Sequence, residues 1–276
     1  MLELPESINI SKQLKDVTVG KTVTNVVTAH SPHGFAFYSG EPDYYEQMLM
    51  DKTVTDIYHN AGQVEMEFGN VHLVFNDGVN IRYYEASTRE PDKHQLLIRF
   101  DDDSFIVVKV QMYGGMVVFY EGEYDNFYYQ VAKEKPSPLT SDFTEDYFTD
   151  MFNKSEKKLS AKAFLATEQR IPGLGNGILQ DVLFEAGIHP QTKLKSMESS
   201  DIKSLYESVI STLKTMTENG GRNTEKDIYG NSGGYQTILS SKTWNEPCPK
   251  CGGPITKKAY LGGSVYFCPV CQPLIK

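Results

Sequence analysis

The chain has 276 residues, of which 39% are hydrophobic and 23% charged, with a formal net charge of −9. That balance supports a packed core, excludes a disordered or collagen-like chain, and at this length suggests two domains. No run approaches the ~20 apolar residues a membrane-crossing helix needs, and the start, MLELPESINI, has neither a basic opening nor a long apolar stretch, so a cytoplasmic protein is expected. One helix is expected near residues 5–15. The first half then reads as β. Residues 17–29 alternate and are rich in Val and Thr, and 54–68, 70–84, 94–110 and 115–122 follow as further apolar runs. Asn76-Asp77-Gly78 and Asp101-Asp102-Asp103-Ser104 have the chemistry of hairpin turns. Several short strands at this spacing predict a β-sandwich or flattened barrel.

Residues 133–140, KEKPSPLT, read as a linker. Beyond them the period becomes helical, over 141–153 with Ser141 as the cap, 160–169, 176–187 and 199–220. The last carries an apolar ladder of Ile202, Leu205, Val209, Leu213 and Met216. A Gly-rich stretch, 220–234, leads to the cysteines. The charge divides along the same line. Residues 1–150 hold 25 acidic and 11 basic side chains, whereas 151–276 hold 11 acidic and 16 basic. The second half is therefore the candidate for a polyanionic partner.

All four cysteines lie in two CxxC pairs, Cys248/Cys251 and Cys268/Cys271, separated by sixteen residues. Clustered cysteines in a cytoplasmic chain point to metal rather than disulfides. Two knuckles at this separation supply four thiolates for one tetrahedral zinc. With no open position, the zinc is structural and presents the hairpin between the knuckles. Upstream, Ile171-Pro172-Gly173-Leu174-Gly175-Asn176 sits between two helical segments. Two glycines allow a tight turn, and Asn176 is placed to cap a helix whose free N–H groups can meet a phosphate. Taken alone, such a turn reads rather as an ordinary interhelix connection. His30, His33, His59, His72 and His94 have no ligand spacing.

Residues 169–190, QRIPGLGNGILQDVLFEAGIHP, resemble the helix–two-turn–helix of the formamidopyrimidine-DNA glycosylase and endonuclease VIII family. The zinc hairpin near the C-terminus and the start Glu3-Leu4-Pro5-Glu6 are similar to that family too. The resemblance implies an α+β chain. An N-terminal β-sandwich (1–132) and the linker (133–140) would precede a helix–two-turn–helix DNA-binding domain (141–240) and a zinc finger (241–276). It also implies a monomer acting on damaged or abasic double-stranded DNA. In that family an N-terminal amine attacks C1′ of the sugar to form a Schiff base, an adjacent Glu moves protons, and the damaged nucleotide is flipped out of the duplex. Carried over, Leu2 stands at the nucleophile position, Glu3 is the proton carrier and Glu6 a supporting carboxylate. Asn176 in its turn with Gly173 and Gly175 contacts phosphate, Lys257 and Lys258 lie on the finger, and Cys248, Cys251, Cys268 and Cys271 bind zinc.

Several positions depart from the family pattern. Leu2 replaces Pro, and initiator Met is usually kept before a large residue, which would place the amine on Met1. Gln63 stands where the family has a Lys and cannot supply a cation. Arg82-Tyr83-Tyr84-Glu85 falls where the family has an intercalating Met, and a carboxylate is a poor wedge. Val110-Gln111-Met112-Tyr113 falls where a void-filling Arg is usual, and Gly263 takes the place of a phosphate-gripping Arg. Three readings follow: a glycosylase with abasic-site lyase activity, a homologue that binds damaged DNA without cleaving it, and a binder of RNA or protein.

Overall fold

The computed structural model describes residues 2–275. Met1, on which N-terminal processing turns, lies outside the described residues. The chain divides into two compact units. One runs to Lys133 and takes in Gly220–Gly234; the other comprises Glu134–Asn219 and the chain from Tyr235.

In the first unit, helix α1 (Leu4–Thr18) carries Pro5 in its first turn, where a missing N–H costs nothing. Leu4, Ile10, Leu14 and Thr18 are buried at helical spacing. The helix therefore runs through Val17 and Thr18, which the Val/Thr alternation assigned to a strand, and extended chain begins at β1 (Val23–Thr28). Strands β2 (Ala36–Tyr38), β3 (Asp56–Asn60), β4 (Gln63–Phe68), β5 (Val71–Phe75), β6 (Val79–Tyr84), β7 (Leu96–Phe100), β8 (Phe105–Val110) and β9 (Gly114–Tyr120) follow. They form a four-stranded sheet, β1-β7-β8-β6, and a five-stranded sheet, β2-β9-β5-β4-β3. Alternate residues of both sheets enter one apolar cluster: Ile81, Leu96, Ile98, Ile106 and Val108 from the first, Val64, Met66, Leu73, Met116 and Val118 from the second. A short helix, α2 (Asp43–Leu49), adds Tyr45, Met48 and Leu49.

Two turns differ in role. Residues 101–104 join β7 to β8 as an antiparallel hairpin, as expected. Asn76-Asp77-Gly78 does not make a hairpin, because β5 and β6 belong to different sheets and the turn carries the chain across. Gly78 is required there: its φ is +85°, and a Cβ would lie 1.5 Å from the Tyr113 carbonyl oxygen. Helix α3 (Phe127–Glu134), hidden in sequence by its shortness, shares an apolar cluster with Val74 and Phe119 through Tyr129. The fully buried Glu65 accepts from the Tyr129 hydroxyl at 2.9 Å and lies 2.7 Å from His72 Nδ1, so its charge is not left unpaired. Because α3 runs to Glu134, residues 133–134 are helix rather than linker.

The second unit holds α4 (Glu145–Lys154), α5 (Ala161–Ala166), α6 (Asn176–Glu185), α7 (Ser199–Glu218) and the hairpin β10 (Thr256–Tyr260)–β11 (Gly263–Phe267). The cap of α4 is Thr144, whose side chain accepts from the Tyr147 N–H, not Ser141. The Ser208 hydroxyl of α7 donates to Val182 O of α6 at 2.7 Å. The cysteine hairpin clusters with the helices, since Phe184 of α6 shares a core with Cys248, Ile255, Tyr266 and Cys268. The range 141–240 expected for the helical domain loses 220–234 to the first unit. Ile228 lies in the sandwich core, and its carbonyl accepts from Tyr83 N at 2.9 Å on the outer edge of β6. Among the described residues no helix is long and apolar enough to cross a membrane.

Candidate functional site

Two groups of candidate residues emerge, one in each unit. At the head of α1, Glu3 is the extended residue before the first turn and Glu6 lies three residues on, which puts both on one side of the helix start. Leu2 is buried in the sandwich core and ties the chain's beginning to it. A partner for both carboxylates comes from the Gly-rich stretch. Arg222 is 2% exposed. Its Nε donates to Glu6 Oε1 at 2.9 Å, its Nη2 to Glu6 Oε2 at 2.7 Å, and its backbone N–H to Glu6 Oε1 at 3.0 Å. Its Nη1 stands 3.2 Å from Glu3 Oε2. Burial opposes the Arg222 charge, but Glu3 and Glu6 outweigh it and hold the guanidinium more firmly protonated than usual.

Asp77, at the turn between sheets, is the second addition. Burial pushes its carboxyl above the ordinary range, and Arg222 pulls the other way. Its Oδ1 has no hydrogen-bond partner. The Tyr113 hydroxyl is pushed up first by the charge of Asp77, then by burial and by Glu3. Sequence reading took Asp77 only as a turn residue and passed over Arg222; an Arg directly after Gly220-Gly221 was the available signal. Gln63 opens β4 half-buried, with its Oε1 unpartnered. Arg82, Tyr83 and Tyr84 lie within β6, whereas Met112 and Tyr113 are exposed at 66% and 48%. An open groove of about 910 Å³ in this acidic unit is lined by His30, His33, Arg82, Lys93 and Lys109, with Asp92 among them.

In the second unit the glycine turn and the finger come together. The cap of α6 is Gly175, and Asn176 is the first helical residue, so the expected Asn cap shifts by one position. The Asn176 side chain is thereby free to leave its own helix. Its Nδ2 donates to Ser264 O at 3.3 Å, and its Oδ1 has no partner. Gln180, one turn on, donates to Ser264 O at 3.1 Å and accepts from Tyr266 N at 3.0 Å, fixing β11 on α6. Gly263 is adjacent: a Cβ there would lie 3.5 Å from Asn176 Nδ2. The finger lysines point elsewhere. Lys257 lies over the Trp244 ring at 5.3 Å, and Lys258 donates to Gln191 Oε1 at 2.9 Å. Lys162, missed in the sequence, is buried and donates to Tyr260 O at 2.7 Å beside the hairpin turn.

The four cysteine sulfurs lie within 4.8 Å of one another, with Sγ–Sγ separations of 3.8 Å for Cys248–Cys271 and 3.5 Å for Cys251–Cys268. Four thiolates at ~2.3 Å from a common centre stand about 3.8 Å apart, so the set fits one tetrahedral zinc. All four cysteines are free of disulfides.

Residues 135–227 match the family model of the formamidopyrimidine-DNA glycosylase H2TH domain, and 245–274 match that of the zinc finger found in FPG and IleRS. A formamidopyrimidine-DNA glycosylase of Bacillus anthracis is 27% identical over the whole of both chains. Over its whole length the chain is similar to formamidopyrimidine-DNA glycosylases, and its helical and finger regions match that family's models. Two solved Lactococcus lactis Fpg structures agree with it in fold. The complex with N7-benzyl-Fapy-dG DNA has a TM-score of 0.85 at 26% identity, and a complex with abasic-site DNA has 0.84 at 25%; each covers 98% of this chain and 99% of the other. Within the glycosylase family frame, the zinc is structural: its four ligands tie the finger to α6, and no ligand position is left for chemistry.

Proposed function

We propose that this chain is a DNA-repair protein that acts in the cytoplasm, as a monomer, on double-stranded DNA carrying damaged bases or abasic sites. It has the chemistry of a DNA glycosylase with abasic-site lyase activity. The observation that carries the reading is Glu3, a buried carboxylate held at the head of α1 next to the chain's amino end. A neutral primary amine adds to C1′ of the open sugar, a water leaves, and a C=N bond forms. Loss of the C2′ proton then breaks the C3′–O bond. A carboxylate is suited to receive protons in these steps, with Glu3 as the carrier and Glu6 in support. Asn176, in the turn with Gly173 and Gly175, offers its side chain to the DNA backbone beside the finger. Lys257 and Lys258 add cationic charge, and Arg82, Lys93 and Lys109 do the same in the first unit. Met112 and Tyr113 are among the exposed apolar side chains of the first unit and are available to enter the base stack.

A second reading, binding without cleavage, is favoured by two observations. Leu2 is committed to the core, and Arg222 already neutralises one of the two carboxylate charges. Borohydride trapping on an abasic-site duplex, read by intact mass and peptide mapping, separates the two. A covalent adduct on the N-terminal peptide is expected for the lyase. Tight, salt-dependent binding with no adduct would replace it with the recognition protein.

A further inference from the structure

We propose that Arg222 is a positioning residue that holds Glu3 and Glu6 as an ionised, acceptor-only pair, so that Glu3 enters any reaction able to take a proton but with none to give. The inference deepens the reading of Glu3 as the proton carrier and rests on it for its chemical meaning. Its structural basis is independent of activity. A guanidinium keeps its proton under all ordinary conditions and donates through a rigid planar fork. Here three N–H groups of one residue converge on the two oxygens of Glu6, and a fourth faces Glu3 Oε2 at 3.2 Å. All three side chains are at most 5% exposed, so water does not screen them.

The loop is shaped for this placement. Gly221 has φ +99°, and a Cβ at that position would sit 3.2 Å from Glu6 Oε1. Gly233 packs so closely that its Cβ would meet Gly221 O at 2.2 Å. A loop held this tightly delivers the Arg222 backbone N–H and side chain to one carboxylate together. Among the described residues, the other charged and titratable groups around the pair include Asp77, Tyr113 and Glu225. Arg222 is the cation that meets both carboxylates of the pair directly.

The test is carboxyl 13C NMR of the full-length, glutamate-labelled, zinc-loaded protein, with Glu3→Gln assigning the Glu3 signal. In the unsubstituted chain the Glu3 signal is expected to stay at its ionised position from about pH 8 to about pH 5. In Arg222→Gln its midpoint is expected to rise by about one to two units. Arg222→Lys, which keeps the charge and loses the fork, is expected to hold Glu3 ionised even though its melting temperature falls. That outcome separates charge from packing. A Glu3 signal that titrates above about pH 5 in the unsubstituted chain overturns the proposal, even if no Arg222 variant folds. So does an unchanged midpoint in a folded Arg222→Gln. The trapping assay reports separately on the lyase reading: Glu3 held ionised with no trapped adduct leaves the Arg222 assignment standing and removes the lyase.

Discussion

Replacing Gly263 with Arg should raise DNA affinity without a cost in stability. The site accepts a side chain, because the atoms nearest an added Cβ belong to Asn176 at 3.5–3.6 Å, ordinary van der Waals contact. The backbone at 263 lies outside the left-handed region. A guanidinium there would extend past Asn176, whose Oδ1 has no partner, toward the phosphate that the turn is proposed to hold. One added phosphate contact steepens the dependence of log K on log salt by about 0.9, which at 0.15 M salt is roughly a fivefold gain in affinity. Fluorescence anisotropy with an abasic-site duplex across a salt series measures both quantities. An unchanged slope in a folded Gly263→Arg protein would refute the placement of DNA phosphate beside Asn176. A gain in affinity with no change in slope would refute the electrostatic mechanism.

Three further outcomes are expected. Glu6→Gln should destabilise the first unit by about 3–5 kcal/mol, because it leaves the buried Arg222 without the counter-charge it bonds through both oxygens; calorimetry that finds less than about 1 kcal/mol would show the site to be wetter than described. Chelating zinc should red-shift the emission of Trp244, the single tryptophan, which packs against the core shared by Cys248, Cys268 and Phe184; an unchanged spectrum would mean that the finger holds its fold without metal. Burial pushes the Tyr45 hydroxyl up to about 12. Its folded value lies above its unfolded value of about 10, so the stabilisation is complete below pH 10 and is lost as pH rises through about 12, a change of about 2–3 kcal/mol. Alkaline unfolding monitored by circular dichroism should be shallower in Tyr45→Phe, and identical slopes would argue against this assignment.

How much was legible depended on the range of the interactions. The zinc hairpin and the glycine turn were readable because their chemistry is local: four thiolates at two fixed spacings, and two glycines before a helix. The ladder of α7 and the β7–β8 hairpin were readable from periodicity. The end of α1 was not, since Val17 and Thr18 alternate like a strand yet sit on a helix whose buried side extends to Thr18. Nor was the crossing at 76–78, because a turn sequence states that the chain reverses but not which sheet receives it. Helix α3 escaped notice because its eight residues are held through Tyr129 and the charge of Glu65 rather than through an apolar repeat.

The sequence by itself determined the metal site, the helical half, the β-rich half and the resemblance to the glycosylases, since each rests on short-range spacing or on motifs in order. The tertiary structure decided what the N-terminal carboxylates are. Glu6 and Arg222 are 216 residues apart in the chain, and no local pattern couples them. Only folding removes them from water and brings one guanidinium against two acids.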